Sequence, residues 1–161
     1  MNKKTVLFIA FLLPGLTFLF LKKCTHNEYN IPVMYELSTD SLNAVCHTHY
    51  PSPYSIPDSV LQKIQWKPSA TVFVFGSKDQ GKELRRLTGS FDAGEFNVRT
   101  ENQAGSENRF AQWMSCVFFV PLGKNAMLID DKKRIRGYYD LSSFDETDRL
   151  IVEMKILLKK Y

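Results

Sequence analysis

The sequence predicts an α/β domain, in which a central sheet is covered by helices. The segment Thr71–Phe75 is β-branched and aromatic throughout, which is typical of a buried strand. Asn125–Asp130 and Arg134–Tyr139 flank a short polar turn and predict a β-hairpin. An amphipathic helix follows Ser143 and closes the chain. Strands that alternate with helices favour a single sheet with helices on its faces.

The remaining elements follow from local periodicity. Residues 38–58 contain three prolines and show little periodicity, so we expect a loop-rich stretch there. Pro32 confines a strand at the start of the domain to a sheet edge, or moves its start to Val33. The other expected elements are strands at Ile31–Leu37, Glu95–Thr100 and Cys116–Val120, a helical turn at Ser59–Trp66, and helices at Asp79–Leu87 and Glu107–Met114.

The last helix has the clearest signals. Ser143 and Glu146 form an S-x-x-E capping box at its start. Leu150, Met154 and Leu157 then recur at the spacing of one helix face. A strand-helix-strand unit that is followed by a hairpin and a helix is the arrangement of a thioredoxin-like fold, and we expect this fold.

The N-terminus predicts a membrane anchor. Thr5–Leu21 is an uncharged run of 17 residues, which is at the short end of what spans a bilayer as a helix. The alternatives are a cleaved signal peptide and a buried core helix. No small-x-small cleavage site follows the run, which argues against the signal peptide. We therefore expect an anchor at residues 1–23, a tether at 24–30 and a thioredoxin-like domain at 31–161.

The expected location is the inner (cytoplasmic) membrane. An N-terminal anchor with a short basic head commonly leaves that head in the cytoplasm, which would place the body on the non-cytoplasmic side as a single-pass protein. Lysines lie on both sides of the run, so the positive-inside rule has little asymmetry to act on.

The charge distribution argues against one class of partner. The chain has 21 Lys and Arg residues against 17 Asp and Glu, a formal charge of +4. Four of the basic residues lie within the first 23 positions, so the body holds 17 basic and 17 acidic residues and is neutral. Nucleic-acid binding normally needs a basic face that neutralises phosphates, so we expect no nucleic-acid partner.

The C-terminal residues carry a family resemblance. Residues 126–159 read AMLIDDKKRIRGYYDLSSFDETDRLIVEMKILLK. The Leu-Ile-Asp strand end, the Ile-Arg-Gly-Tyr-Tyr-Asp strand and the long last helix resemble the C-terminal unit of the Sco/SenC family. These are membrane-anchored, thioredoxin-like copper chaperones of cytochrome c oxidase assembly, and the single N-terminal anchor is similar too. The match covers about a fifth of the chain.

The resemblance implies a copper site that this chain does not reproduce. The family's ligands are a C-x-x-x-C pair after an early strand and a His before the hairpin, and two thiolates with an imidazole suit Cu(I). The sequence has no C-x-x-x-C motif, and the His position falls at about Leu122. If Thr71–Phe75 is the early strand, Gly76 and Gln80 occupy the thiol positions. If it is the family's next strand, the thiol-bearing segment is the stretch around Cys46.

One cluster of candidate metal ligands is present. Cys46, His47 and His49 lie within four residues in AVCHTHYPSP, and Cys24 and His26 on the tether are further possible donors. Copper is the metal that the resemblance implies. The cluster lacks the second spaced Cys/His pair that makes a metal prediction strong. The alternatives are a solvent-facing loop with an incidental cysteine and a redox-active thiol.

Cys116 lies in the apolar run Cys-Val-Phe-Phe-Val, and we expect it to be a small buried hydrophobe. The alternative is a disulfide with Cys46, which an oxidising compartment would allow. The sequence does not give the distance between their Cα atoms, on which a disulfide depends.

Two functions from different classes follow from these residues. The first is a non-catalytic, membrane-anchored binding or accessory module that docks on a respiratory oxidase subunit or on an active Sco-like protein. The second is a copper- or thiol-handling protein that uses Cys46, His47 and His49. The missing family ligands favour the first function.

Overall fold

The computed structural model describes residues 3, 12–20, 29–75, 81–101 and 107–159. Residues 5–11 and 21 of the predicted anchor run, Thr5–Leu21, and residues 24–28 of the tether lie outside these residues. Of the anchor, residues 12–20 are described, and they are helical. Within the described part of the chain, no helix combines the length and apolar character needed to cross a membrane.

From residue 71 onward, strands and helices alternate along the chain until two consecutive strands precede the last helix. The helices are α1 (Asp40–Cys46), α2 (Asp58–Lys63), α3 (Gly81–Gly89), α4 (Glu107–Cys116) and α5 (Phe144–Leu157). The strands are β1 (Thr71–Phe75), β2 (Asn97–Glu101), β3 (Ala126–Ile129) and β4 (Ile135–Tyr139).

The four strands form one mixed sheet in the order β2-β1-β3-β4. β1 runs parallel to β2, with Thr71 opposite Asn97. It runs antiparallel to β3 on its other side, with Thr71 opposite Ile129. β3 and β4 form the predicted hairpin, with Ala126 opposite Tyr139. The predicted α/β class, a central sheet with flanking helices, is confirmed at this level.

The sheet separates two apolar layers, because neighbouring side chains of a strand point to opposite faces. On one face, Phe73 packs with Met127 of β3 and with side chains of the segment before β1. On the other face, Val72 packs with residues of α3 and α5, among them Leu87 and Leu150. Ser143 caps α5 as expected, since its hydroxyl accepts a hydrogen bond from the backbone N–H of Glu146. The reciprocal half of the capping box is not formed, because the Ser143 N–H donates to the Asp140 carbonyl and the Glu146 carboxylate accepts from Lys124.

The expected strand at Ile31–Leu37 is wrong. The backbone N–H of Met34 donates to the carbonyl of Ile135 at 2.9 Å, so the segment touches the edge strand β4. It cannot continue along that edge, because the chain turns at Tyr35, which has a left-handed φ of 58°. The segment covers the sheet edge without becoming a fifth strand.

The expected strand at Cys116–Val120 is also wrong. Helix α4 continues through Cys116, and the N–H groups of Val117 and Phe118 both donate to the carbonyl of Trp113. The chain then reverses at Phe119, whose φ is 50°. Phe118 and Phe119 are buried nevertheless, so the apolar run that predicts a strand is explained by a buried turn.

Helix α1 lies within the stretch that was expected to be a loop. It has seven residues, about two turns, which is too short to show a helical period. Helices α3 and α4 and strand β2 occur where helices and a strand are expected, with ends shifted by about two residues.

A buried carboxylate fixes the hairpin turn and the start of the domain. Asp130 is fully buried and accepts hydrogen bonds from the backbone N–H of Lys132 and of Arg134, both at 2.9 Å. Its other oxygen accepts from the guanidinium groups of Arg134 and Arg136, each at 2.8 Å. Arg136 also donates to the carbonyl of Ile31, so the same network holds the incoming chain against β4.

Candidate functional site

Cys46 and Cys116 form a disulfide that joins the last residues of two helices. Cys46 ends α1 and Cys116 ends α4. Their Cα atoms are 5.6 Å apart, within the usual range for a disulfide, although 70 positions separate them in the chain. The bond links the segment before the sheet to the sheet domain.

The expectation that Cys116 is an unpaired, buried hydrophobe is therefore wrong. That expectation depended on a strand, whose alternating side chains would have carried Cys116 into the core. Because Cys116 instead ends a helix, its side chain is half-buried at the helix C-terminus and meets α1.

The loop after Cys46 is held by hydrogen bonds at its far end, Tyr50. His47 terminates α1 with a left-handed backbone, at φ 49°. The backbone N–H of Tyr50 donates to the Asn43 side-chain oxygen at 2.7 Å, and the Thr39 hydroxyl donates to the Tyr50 carbonyl at 2.9 Å. Residues 47–49, which include both histidines of the loop, are exposed to solvent.

The predicted metal ligands Cys46, His47 and His49 lie at the end of α1 and in this loop. Both imidazoles are exposed, but the sulfur of Cys46 is part of the disulfide and offers no thiolate to a metal in this form. Within the described ranges, no three side chains of His, Cys, Asp or Glu are grouped closely enough to hold a metal ion. Cys24 and His26 lie outside the described residues.

The donor set of the Sco/SenC copper site does not fit this chain. Leu122, at the expected His position, has a hydrocarbon side chain that cannot ligate copper, and it is fully exposed. It lies in the loop between α4 and β3, beside the end of β1, where the N–H of Phe75 donates to the Asn125 carbonyl at 2.8 Å. Gly76 and Gln80, at the alternative thiol positions, lie outside the described residues.

Three tyrosine hydroxyls donate to three consecutive carbonyls that begin at Cys116. Tyr50 donates to the carbonyl of Cys116 at 2.6 Å, and Tyr54 donates to the next carbonyl, of Val117, at 2.8 Å. The third donor is Tyr138 of β4, whose hydroxyl donates to the carbonyl of Phe118 at 2.6 Å. These carbonyls belong to the last residue of α4 and to the two residues after it, and carbonyls at a helix C-terminus lack partners within the helix.

The hydroxyls of Tyr54 and Tyr138 serve as permanent donors. Burial raises the pKa of Tyr54 and of Tyr138 above the ordinary tyrosine value, and neighbouring tyrosines add to the effect. Both groups therefore stay neutral and protonated in any physiological range, and neither is suited to accept a proton during catalysis.

Tyr35, Tyr50, Tyr54 and Phe119 pack edge to face beneath this segment, with ring centroids 5.0–6.5 Å apart. Such ring pairs stabilise by about 0.5–1.5 kcal/mol beyond their buried area. Four of the seven tyrosines of the chain lie within residues 29–54, and this density is the one sequence signal for the cluster. No sequence signal predicts that the hydroxyls of Tyr50 and Tyr54 donate to carbonyls 66 and 63 residues away in the chain.

The disulfide, the tyrosine hydroxyls and the aromatic rings thus form a rigid junction between the first segment and the sheet domain. The cysteines therefore lie among structural contacts, and His47 and His49 are exposed beside them. No protein-family model, curated protein or solved structure matches this chain.

Proposed function

We propose that this protein is a membrane-anchored, thioredoxin-like binding or accessory module that performs no thiol chemistry of its own. The thioredoxin-like assignment is supported by the order of elements from β1 to α5, a strand-helix-strand unit followed by a second helix, a hairpin and a closing helix. It is also supported by the sheet order, in which the hairpin strand β3 lies directly against β1.

The placement of the Cys46–Cys116 disulfide is the observation that carries the non-catalytic proposal. A dithiol enzyme needs a thiolate, which the positive end of a helix dipole at the N-terminus stabilises. Both cysteines are the last residues of their helices, where the dipole is negative and disfavours a thiolate. The bond also closes a loop of 70 residues, and a disulfide that closes a long loop stabilises a fold by restricting the unfolded chain.

The same disulfide supports a location outside the cytoplasm, because disulfides persist in oxidising compartments such as the bacterial periplasm. The uncharged run Thr5–Leu21 would hold the protein in the inner membrane, with the body on the non-cytoplasmic side. Residues 12–20 are helical and expose their large apolar side chains, with Phe20 at 68% of its full exposure. Lipid would remove this surface from water.

The proposed partner is a respiratory oxidase subunit or an active Sco-like protein. One support is the resemblance of the sequence of residues 126–159 to the Sco/SenC family. The other is the neutral charge of the body, which suits a protein partner better than nucleic acid. A domain that has the scaffold of such a chaperone without its copper ligands retains surfaces for recognition rather than groups for transfer.

A second candidate function is copper or thiol handling by Cys46, His47 and His49. The exposure of both imidazoles beside a cysteine favours it, since solvent-accessible imidazole and thiolate groups bind Cu(I). Reduction of the disulfide would be required first, because Cys46 supplies a thiolate only when it is released from Cys116.

A Cu(I) titration separates the two functions. Full-length protein carrying Cys24→Ser, in detergent, is titrated anaerobically against a Cu(I) chelator, once with the disulfide intact and once after reduction. The proposed module shows no stoichiometric Cu(I) binding in the oxidised form, and any weak binding after reduction is unchanged by His47→Ala with His49→Ala. One equivalent of Cu(I), held by the reduced protein and lost in Cys46→Ser, contradicts the proposal and favours the second function.

A further inference from the structure

The two edges of the sheet differ in how they are covered. β4 forms one edge, and the segment before the domain lies against it, where Met34 donates its N–H to the carbonyl of Ile135. β2 forms the other edge. Within the described ranges, no strand pairs with the outer side of β2. An uncovered edge is a template on which another strand can pair.

The backbone groups on the outer side of β2 belong to Val98 and Thr100. The N–H of Asn97 donates to the carbonyl of Ala70, just before β1, so Asn97 turns its backbone groups toward β1. Since successive residues of a strand turn to opposite sides, the N–H and C=O groups of Val98 and Thr100 point away from the sheet. Among the residues that the structure describes, these outward groups have no hydrogen-bond partner, and the Thr100 side chain is exposed.

Three cations lie beside this edge, on one face of the sheet. Arg99 lies opposite Phe73 in the pairing of β1 with β2, so the two side chains share a face. The Arg99 guanidinium donates to the carbonyl of Gln65 at 3.0 Å, and its buried Nε has no hydrogen-bond partner in the described part of the chain. Lys63 and Lys67 stand two positions before and after Gln65, and both are exposed.

The charges of these three cations are not compensated by the carboxylates that the structure describes. None of the ion pairs formed there includes Arg99, Lys63 or Lys67. Asp58, the acidic residue at the start of α2, is already paired with Lys133. Arg99 and the two lysines thus present positive charge beside β2, although the body as a whole is neutral.

The other face of β2 is apolar. Val98 lies opposite Val72 and packs, half-buried, in the layer that contains Leu87. A strand added beside β2 would alternate its own side chains between the two faces. Acidic side chains would then lie beside Arg99 and apolar ones beside Val98, and cross-strand pairs of both kinds are stabilising.

We propose that the outer side of β2 binds an extended segment of a partner protein as a fifth strand, and that acidic and apolar residues alternate in this segment. The inference rests on the proposed binding function, and it names the surface and the chemistry of the partner. Main-chain hydrogen bonds to Val98 and Thr100 supply affinity in this mode of recognition, and the side chains on the two faces supply specificity.

Two synthetic peptides test this edge. The probe is a fluorescein-labelled peptide of about eight residues, within the usual length of a strand, in which valine and glutamate alternate. The control peptide has lysine in place of each glutamate. Full-length protein in detergent, with its disulfide intact, is titrated against each peptide, and binding is followed by fluorescence anisotropy at low and high salt.

Two pairs of variants locate the binding. Thr100→Pro removes an outward N–H at an edge position, where proline is tolerated, and Thr100→Val is its control because it keeps the N–H. Lys67→Glu reverses an exposed charge beside β2, and Lys155→Glu makes the same change at an exposed position of α5.

We expect the valine–glutamate peptide to bind more tightly than the control peptide, and more weakly at high salt. Thr100→Pro should weaken this binding by about tenfold relative to Thr100→Val. Lys67→Glu should weaken it, while Lys155→Glu leaves it unchanged. Equal binding of the two peptides, or equal affinities of Lys67→Glu and Lys155→Glu, overturns the proposal even if Thr100→Pro fails to fold.

Sedimentation of the same samples tests whether a second copy of the chain is the occupant. A dimer that Thr100→Pro dissociates would assign the edge to self-association and overturn the proposal. Wild-type protein that binds neither peptide overturns the docking edge, while the absence of Cu(I) binding would still support the proposed module. One equivalent of Cu(I), bound by the reduced protein, contradicts that module whether or not a peptide binds.

Discussion

Replacing Asp130 with alanine is expected to destabilise the domain by about 3–5 kcal/mol, because it removes one partner of a buried ion pair and leaves the other uncompensated. Arg136 has 8% of its surface exposed, and its guanidinium donates to the Asp130 carboxylate. Two backbone N–H groups of the hairpin turn lose their acceptor in the same change. The contact between Arg136 and the Ile31 carbonyl is expected to weaken as well.

Urea unfolding followed by circular dichroism measures this change in the free energy of unfolding. Asp131→Ala is the matched control, since Asp131 is the neighbouring residue and is exposed. It should change stability by no more than about 0.5 kcal/mol. Similar, small effects at positions 130 and 131 would show that the buried network does not form.

The same carboxylate predicts a pH dependence. Burial by itself would raise the pKa of Asp130, but the N–H of Arg134 and the side chains of Arg134 and Arg136 outweigh it and hold that pKa below its ordinary value. A depressed folded-state pKa stabilises the protein above the unfolded-state pKa of about 4, and this stability is lost as the pH falls through the folded-state pKa. The stability difference between wild type and Asp130→Asn should therefore shrink from about pH 5 to pH 2. A constant difference contradicts this.

Removing the disulfide is the second large change. The double variant Cys46→Ser/Cys116→Ser should lose about 4 kcal/mol of stability, because the bond closes a stretch of 70 residues and so restricts the unfolded chain. The seven-residue helix α1 should be affected most, since a helix of this length is marginal without tertiary support.

Guanidinium unfolding of oxidised wild type, reduced wild type and the double variant measures the effect. The reduced wild type is the matched control, and it should unfold at nearly the same denaturant concentration as the double variant. Hydrogen exchange should show faster exchange in α1 than in β1 once the bond is absent. Equal stability of the oxidised wild type and the double variant contradicts a structural role for the bond.

Local patterns were sufficient for much of the sheet domain. β1 is a continuous apolar run, the hairpin has two apolar segments around a polar turn, and α5 has a serine N-cap and a buried stripe. Each of these signals lies within about 20 consecutive residues. They predicted the α/β class and the positions of most elements from Thr71 onward, with ends shifted by about two residues. The exception is the strand expected at Cys116–Val120, which is wrong because α4 continues through Cys116.

The junction around the disulfide could not be predicted in this way, because its contacts join residues distant in sequence. Cys46 and Cys116 are 70 positions apart, and Tyr50 reaches Cys116 across 66. The apolar run after Cys116 has the composition of a strand, but the left-handed turn at Phe119 buries it without pairing. Composition reports that side chains are buried, and it does not distinguish a buried turn from a buried strand.

Turnover of a disulfide substrate tests the central claim, that the cysteines of this domain are structural and that the protein acts by binding. Full-length protein in detergent is supplied with dithiothreitol and insulin, and the reduction of insulin is followed by its turbidity. The account predicts the background rate for wild type, for Cys46→Ser and for Cys116→Ser alike. A rate above background for wild type that disappears in Cys46→Ser contradicts it.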